Sequence, residues 1–433
     1  DNVRIGEGAG DSIASGGNQN VFIGKDAGTA ITTADDNVAI GYGALTTNTT
    51  GVQNTSVGSE ALKSATTAPN NTALGQQALY TTTTGRDNTA AGRQALYLNT
   101  TGDNNVAVGY EALEANTTGS NNTSIGYEAL ESNTTADDNT ALGYRAGQLN
   151  TTGTYNTFVG ALSGDANTTA SGNSALGYLS LSGTTTGEFN TAIGREALEA
   201  NTTADYNTAV GFRALTANTT GTGNVAVGVA LGSNTTADDN TGVGNGAAAS
   251  TTTGANNTAI GRNAFTTNTT GDAAVAVGKS SLLANTTGRF NTACGYESLY
   301  SNTTGGYNTA VGQFALGANT TASNNVGVGN NAGDSLTTGA SNICVGVSAL
   351  QSNQTGAGST AVGHYAGFYS TADTNVFVGY VAGYGGGNTS IATSTGAGVV
   401  LVGSYTNASA NTSGGEIVVG HSLTGKGTST GLF

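Results

Sequence analysis

Asn105-Val106-Ala107-Val108-Gly109 returns seventeen residues later as Asn122-Thr123-Ser124-Ile125-Gly126, and after seventeen more as Asn139-Thr140-Ala141-Leu142-Gly143. The closing glycine keeps this spacing from Gly24 to Gly228, resumes one residue short at Gly244, and holds again to Gly363. A fixed period in this range marks one structural unit per repeat, stacked in a row. Each unit is too small to bury a core alone, so the order of its parts must come from its neighbours. The reading is an all-β chain, a parallel β-solenoid (β-roll or β-helix) with a 17-residue repeat. At about 4.8 Å per rung, about 25 rungs would extend about 120 Å.

Composition agrees. The chain has 433 residues with 69 Gly, one Pro (Pro69), no Met and no Trp. Only 9% of residues are charged, against roughly 25% in ordinary globular domains. Such a length would suggest two or three domains, but a solenoid grows by adding rungs. The regular repeat is read over 1–383. Residues 384–433 are read as irregular rungs and a link to a further C-terminal segment. The chain opens inside a repeat at Asp1, as an excerpt or processed product would. The formal charge of −15 is scattered, and no basic stripe is present to hold nucleic acid. No apolar run is long enough for a membrane span in this segment.

Numbered from its Asn, the repeat assigns a role to each position. Position one is an Asn column (Asn37, Asn54, Asn71, Asn88, Asn105, Asn122, Asn139), able to bond amide to amide between rungs. Positions two and four are Thr or aliphatic and share one strand face, expected to form the core. Position three lies opposite and is Ala in most rungs: Ala39, Ala73, Ala107, Ala141, Ala192, Ala226, Ala259 and Ala310. A small apolar column there predicts an interface with a copy of the same chain, since strands apolar on both faces are usually covered on both. Position six varies freely and faces solvent, so that Tyr110, Tyr127 and Tyr144 form a surface ladder. Position eight is mainly Ala and position nine alternates between Leu and Gly. Tyr127-Glu128-Ala129-Leu130-Glu131 holds good helix formers, so each rung adds either one short helical turn or a second strand. The remainder is turn chemistry, as in Asn116-Thr117-Thr118-Gly119.

Several turn asparagines also match the N-glycosylation pattern: Asn48, Asn99, Asn116, Asn133, Asn150, Asn201, Asn218, Asn285, Asn302 and Asn319. Plain turn chemistry is the alternative reading. Cys294 and Cys344 occupy strand positions about three rungs and hence roughly 14 Å apart, too far for a disulfide. Both read as small buried apolar residues.

The phrase Asn207-Thr208-Ala209-Val210-Gly211 resembles the strand phrase of trimeric autotransporter adhesin heads. The combination of Gly126-Tyr127-Glu128-Ala129-Leu130 with Asn133-Thr134-Thr135 is similar to repeat segments of bacterial and phage tail-fibre-like proteins. The resemblance implies parallel β-rolls assembled as trimers at a cell or virion surface. The stretch from Gly415 to Gly427 resembles the link before the self-cleaving chaperone domain with which many such proteins end.

Catalysis needs unlike groups brought together once, whereas here most polar groups recur at every rung. His364 and His421 lie several rungs apart, which argues against a shared metal site. No glycine phrase forms the complete phosphate-loop pattern Gly-x4-Gly-Lys-Ser/Thr, and no regular Asp supports calcium-binding repeats. The expectation is a structural extracellular fibre, shaft or stalk. It has no catalytic residue, metal or cofactor, and self-association as a homotrimer or filament supplies its principal partner. The alternatives are a solenoid that binds surface glycans, another receptor or ice, or a glycosylated monomeric filament.

Overall fold

The computed structural model describes residues 1–14, 16–384, 396–409, 414–426 and 431–432. It divides into two compact units, Asp1–Thr220 and Gly221–Phe433, each a parallel β-solenoid. The first runs from β1 (Val3–Ile5) to β13 (Thr208–Val210), the second from β14 (Val225–Val227) to β26 (Gly431–Leu432). Within each unit every strand pairs in parallel with its successor. Thus β7 (Val106–Val108) lies on β8 (Thr123–Ile125) with Val106 opposite Thr123, Ala107 opposite Ser124 and Val108 opposite Ile125. Among the described residues no helix is present. The insertion read from the sequence between Gly379 and Gly403 falls largely on 385–395, outside the described residues.

The helical turn expected after each strand is absent because the backbone there changes hand. Glu111 and Leu113 both have φ of 53°, and the same holds at positions seven and nine of most rungs. A helix needs a run of negative φ. Alternation instead turns successive peptide groups along the stacking direction, where they bond to neighbouring rungs. Glu111 N–H donates to the Arg93 carbonyl of the preceding rung, and Leu113 N–H to the Ala129 carbonyl of the next.

The glycine column has a steric cause. Gly109 has φ of +140°, and a Cβ placed on it would lie 2.2 Å from the carbonyl oxygen of Gly126. Gly126 stands in the same relation to Gly143, again at 2.2 Å. Two backbones therefore meet where a side chain would stand, in a conformation that L-residues rarely adopt. At Gly228 the rung is one residue short, φ is +95°, and a Cβ added there would find its nearest neighbour 3.2 Å away.

The strand faces are the reverse of the sequence expectation. Ala39, Ala73, Ala107, Ala141, Ala192, Ala226, Ala259 and Ala310 are fully buried within the winding, with no exposed area. They are core residues, and no sister chain can reach them. Positions two and four point outward instead, with Leu74, Val108, Ile125 and Leu142 each more than a third exposed. The buried Asn at position one fixes the parity, because alternate residues share a face. Ala107, Ala112 and Leu113 then fill the interior together. The winding is thin, and its volume is conserved across it. Where Phe158 replaces alanine at position three, Gly164 of its own rung and Gly147 of the preceding rung stand against its ring. Phe22 is flanked in the same way by Gly28 and Gly10, and Phe377 by Gly383 and Gly367.

Two asparagine ladders run through this interior. In the first, Asn122 N–H donates to Asn105 Oδ1 at 3.0 Å, and Asn122 Nδ2 donates to the Ala136 carbonyl at 2.8 Å. In the second, Asn116 Nδ2 reaches Asn99 Oδ1 at 2.9 Å, Asn133 reaches Asn116 at 2.9 Å, and Asn150 reaches Asn133 at 3.0 Å. The ladder continues to Asn167 and breaks at Thr184, which has no amide to donate; Asn167 Oδ1 is left buried without a partner.

Two outcomes follow in denaturant unfolding. Gly109→Ala should cost more than about 4 kcal/mol, the range of severe backbone overlap, and Gly228→Ala less than half as much. Equal costs would remove the steric account of the repeat. Thr184→Asn should extend the second ladder and add about 1 kcal/mol, read as a rise of roughly 2–4 °C in melting temperature for a unit of this size. A fall would show that the site cannot hold the amide.

Candidate functional site

With the interior given over to ladders, function must reside on the outward positions. The outer strand face is the most extensive of them. In the first unit Leu74, Val108, Ile125, Leu142, Leu176 and Ile193 present an aliphatic column, each between 37% and 50% exposed. A parallel column at position two carries Thr72, Val106, Thr123 and Thr140. Strand pairing spaces both columns at one rung, about 4.8 Å. The second unit repeats the pattern with Val227, Ile260, Val311 and Val328.

The two cysteines mark the two faces. Cys344 stands at position three and is fully buried; desolvation pushes the pKa of its thiol up to about 12. Cys294 stands at position four and is exposed, not buried as the sequence reading had it.

Aromatic side chains form ladders on other edges. Tyr110 and Tyr127 stack with ring centres 5.0 Å apart, and Tyr127 and Tyr144 at 5.5 Å, as the spacing at position six predicts. Hydrogen bonds to Glu111 and Glu128 respectively raise the phenols of Tyr110 and Tyr127 above their ordinary range. In the second unit a denser group departs from the repeat. His364 lies edge-on to Tyr365 at 4.1 Å, Tyr365 meets Phe368 at 5.4 Å, and Tyr384 lies 5.4 Å from both Phe368 and Tyr369.

Charged groups are paired between rungs. Arg145 Nε donates to Glu128 at 2.7 Å, and Arg213 bonds Glu196 in the same arrangement. Glu111, Glu114 and Glu131 bring carboxylate oxygens within 4.8 Å of one another. Burial, and then repulsion from Glu111 and Glu131, raises the Glu114 carboxyl. Beside Tyr42, a depression of about 310 Å³ is lined by Asp26, Thr29, Gly43, Thr46, Glu60 and Lys63. Lys63 Nζ donates to Glu60 Oε1 at 2.6 Å and Gln77 Nε2 to Glu60 Oε2 at 3.0 Å, which together hold the Glu60 carboxyl below its ordinary range.

The glycosylation reading fails on burial. Asn48, Asn99, Asn116, Asn133, Asn150, Asn201, Asn218, Asn285, Asn302 and Asn319 all have no exposed area. Their amides are used inside the winding: Asn133 Nδ2 donates to both Asn116 Oδ1 and the Ala136 carbonyl in the second ladder, and Asn48 Nδ2 donates to the Gly51 carbonyl of its own turn at 2.7 Å. A sugar there would have to break the stack.

No protein-family model matches the chain, and no curated protein is significantly similar to it.

Thiol labelling tests the face assignment. At pH 8 a thiol with a pKa near 12 is thiolate in roughly one molecule in ten thousand. In a folded monomer Cys294 should therefore react with a maleimide and Cys344 only after unfolding. Slow reaction of both cysteines in a protein that measures as a monomer would overturn the assignment.

Proposed function

We propose that the chain is a structural segment of an extracellular fibre, shaft or stalk at a cell or virion surface, without catalytic activity, and that its principal partner is another copy of itself. The outer strand face carries this reading. A regular aliphatic column left more than a third exposed on rung after rung is unusual for a monomer, whose apolar patches are normally small. Fully burying a Val, Leu or Ile contributes about 1.5–3 kcal/mol, so covering the exposed part of each would contribute roughly 0.6–1.2 kcal/mol. A single rung gains little, and many rungs in register gain enough to offset the loss of free motion on association. The homotrimer implied by the adhesin and tail-fibre resemblance is the assembly we favour, with the outer strand face, rather than the alanine column, at its interface.

The interior supports a mechanical role. Its hydrogen bonds run from rung to rung, which resists shear along the stack, and each unit's core is a repeated small-residue packing with no special chemistry. A glycan-binding solenoid is the second reading, favoured by the exposed stacked tyrosines. Ice binding through the turn threonines is weaker, because their hydroxyls are used internally: Thr117 Oγ1 donates to the Thr134 carbonyl at 2.9 Å and Thr134 Oγ1 to the Thr151 carbonyl at 3.1 Å.

Native mass measurement checks the assembly. The unaltered chain should run as a trimer or larger homo-oligomer, and the triple variant Val108→Lys, Ile125→Lys, Leu142→Lys should shift to monomer with its circular dichroism preserved. A monomeric unaltered chain at micromolar concentration would sink the self-association reading.

A further inference from the structure

The aromatic side chains of the regular rungs carry cations of their own. Lys63 Nζ lies over the ring of Tyr80 at 5.3 Å, the Arg93 guanidinium over Tyr110 at 5.4 Å, and that of Arg145 over Tyr144 at 5.1 Å. Arg195 and Arg213 both lie over Phe212, at 4.7 and 5.3 Å, and Lys279 lies over Tyr296 at 5.2 Å. A cation in this place is drawn to the negative face of the ring. From residue 290 to residue 425, however, the sequence holds no lysine or arginine. The charged residues of that stretch are Glu297, Asp334, Asp373 and Glu416.

The largest connected aromatic group of the described residues falls in this stretch. His364 joins its two halves, stacking on Tyr380 with ring centres 5.4 Å apart and meeting Tyr365 edge-on. On one side Tyr365 leads to Phe368, and Tyr384 lies 5.4 to 5.5 Å from Tyr365, Phe368 and Tyr369. On the other side Tyr380 meets Tyr405 edge-on at 5.4 Å, and Tyr405 meets His421 at 6.0 Å. Tyr369, Tyr380 and Tyr405 are 38%, 48% and 47% exposed. Among the described residues no lysine or arginine lies over any of these rings.

We propose that this group is a docking surface for an arginine-bearing segment of a partner protein, whose guanidinium groups take the place over the rings that Arg93 and Arg145 fill elsewhere. Three observations select that partner. The charge of the stretch is negative and it has no lysine or arginine to compete, which favours a cationic ligand over an anionic one. Tyr384 packs against Phe368 and Tyr369, so the group offers open ring faces rather than the enclosing cage that holds a quaternary ammonium. A planar guanidinium stacks on open aromatic faces, whereas an ammonium is a compact and strongly hydrated charge. Aromatic and arginine anchors are also the pairing that protein interfaces favour. The rings stand at positions six, seven, ten and eleven of their rungs, none of them on the outer strand face. Docking and self-association therefore stand or fall separately.

The probe is a fluorescently labelled hexaarginine peptide, followed by polarisation on the full chain at pH 8, above the ordinary histidine range. Attraction to the net charge of −15 is common to every charge-neutral variant, so such variants isolate the rings. Tyr380→Leu combined with Tyr405→Leu should weaken binding at least about fivefold, with melting temperature and oligomeric mass unchanged. The corresponding pair of Phe substitutions keeps both ring faces and should bind like the unaltered chain. Tyr144→Leu removes a ring that Arg145 already covers and should leave binding unchanged. Should the double leucine variant melt early, Tyr369→Leu repeats the test on another rung. Methylguanidinium should displace the peptide at lower concentration than tetramethylammonium. The proposal is overturned if the leucine variants bind hexaarginine as tightly as the unaltered chain, if the phenylalanine pair loses binding as the leucine pair does, or if tetramethylammonium is the better competitor.

Discussion

The contact between one glycine and the carbonyl of the next sets the whole arrangement. At Gly109 and Gly126 the two backbones approach until a methyl group has no room. That approach is what allows strands of three residues to hold a register, since so short a strand contributes little pairing of its own. Every other position is then locked to the same period. The Asn at position one must meet the Asn of the next rung, and the alanine at position three must meet another small residue. Where a rung loses a residue the contact relaxes at Gly228 but stays close at Gly363, whose Cβ position lies 2.3 Å from the Gly379 carbonyl oxygen, so most changes of rung length are absorbed away from the glycine column.

From that contact follows a division of labour between inside and outside. The interior combines buried amides with very small apolar groups, a mixture that would be costly if any amide lost its partner. The ladders avoid most of the cost by giving successive buried Asn residues partners between rungs and at a turn carbonyl, as Asn122 does with Asn105 and Ala136. The aliphatic side chains that would ordinarily build a core do not fit beside the ladders. They are displaced to the outer strand face, and the protein carries its most hydrophobic column where solvent or a partner must meet it.

Period, strand location and the first Asn ladder were legible in the sequence because each is a repeated local pattern. The identity of the inward face was not. Counting apolar residues favoured Val108 and Ile125 over Ala107, but interior volume, not hydrophobicity, decided the matter. A signal for this lay in the sequence all along: Phe22, Phe158 and Phe377 at position three each coincide with glycine at position nine, at Gly28, Gly164 and Gly383. Residues that compensate in size must share one core. The helical turn was misread for a related reason, since Glu128 and Leu130 are good helix formers but sit at positive φ, and propensity is a weak guide where stacking fixes the backbone. The depression beside Tyr42 was illegible because its lining comes from three successive rungs.

In a repeated structure, a residue that every rung shares reports on the stack, so specific recognition has to be sought where a rung departs from its neighbours. Gly43 is such a departure: the fold does not need glycine there, because Glu60 and Gln77 hold the same backbone conformation at φ of 58° and 59°. The aromatic group around Tyr365, Phe368 and Tyr384 is another, because its rings meet at steep angles instead of stacking in a ladder as Tyr80 and Tyr97 do. The same reasoning separates the outer aliphatic column from both. It is common to nearly all rungs yet contributes nothing to the interior, and the proposal of self-association rests on that regularity. A second copy of the same chain, repeating at the same pitch, is the simplest surface that matches it rung for rung.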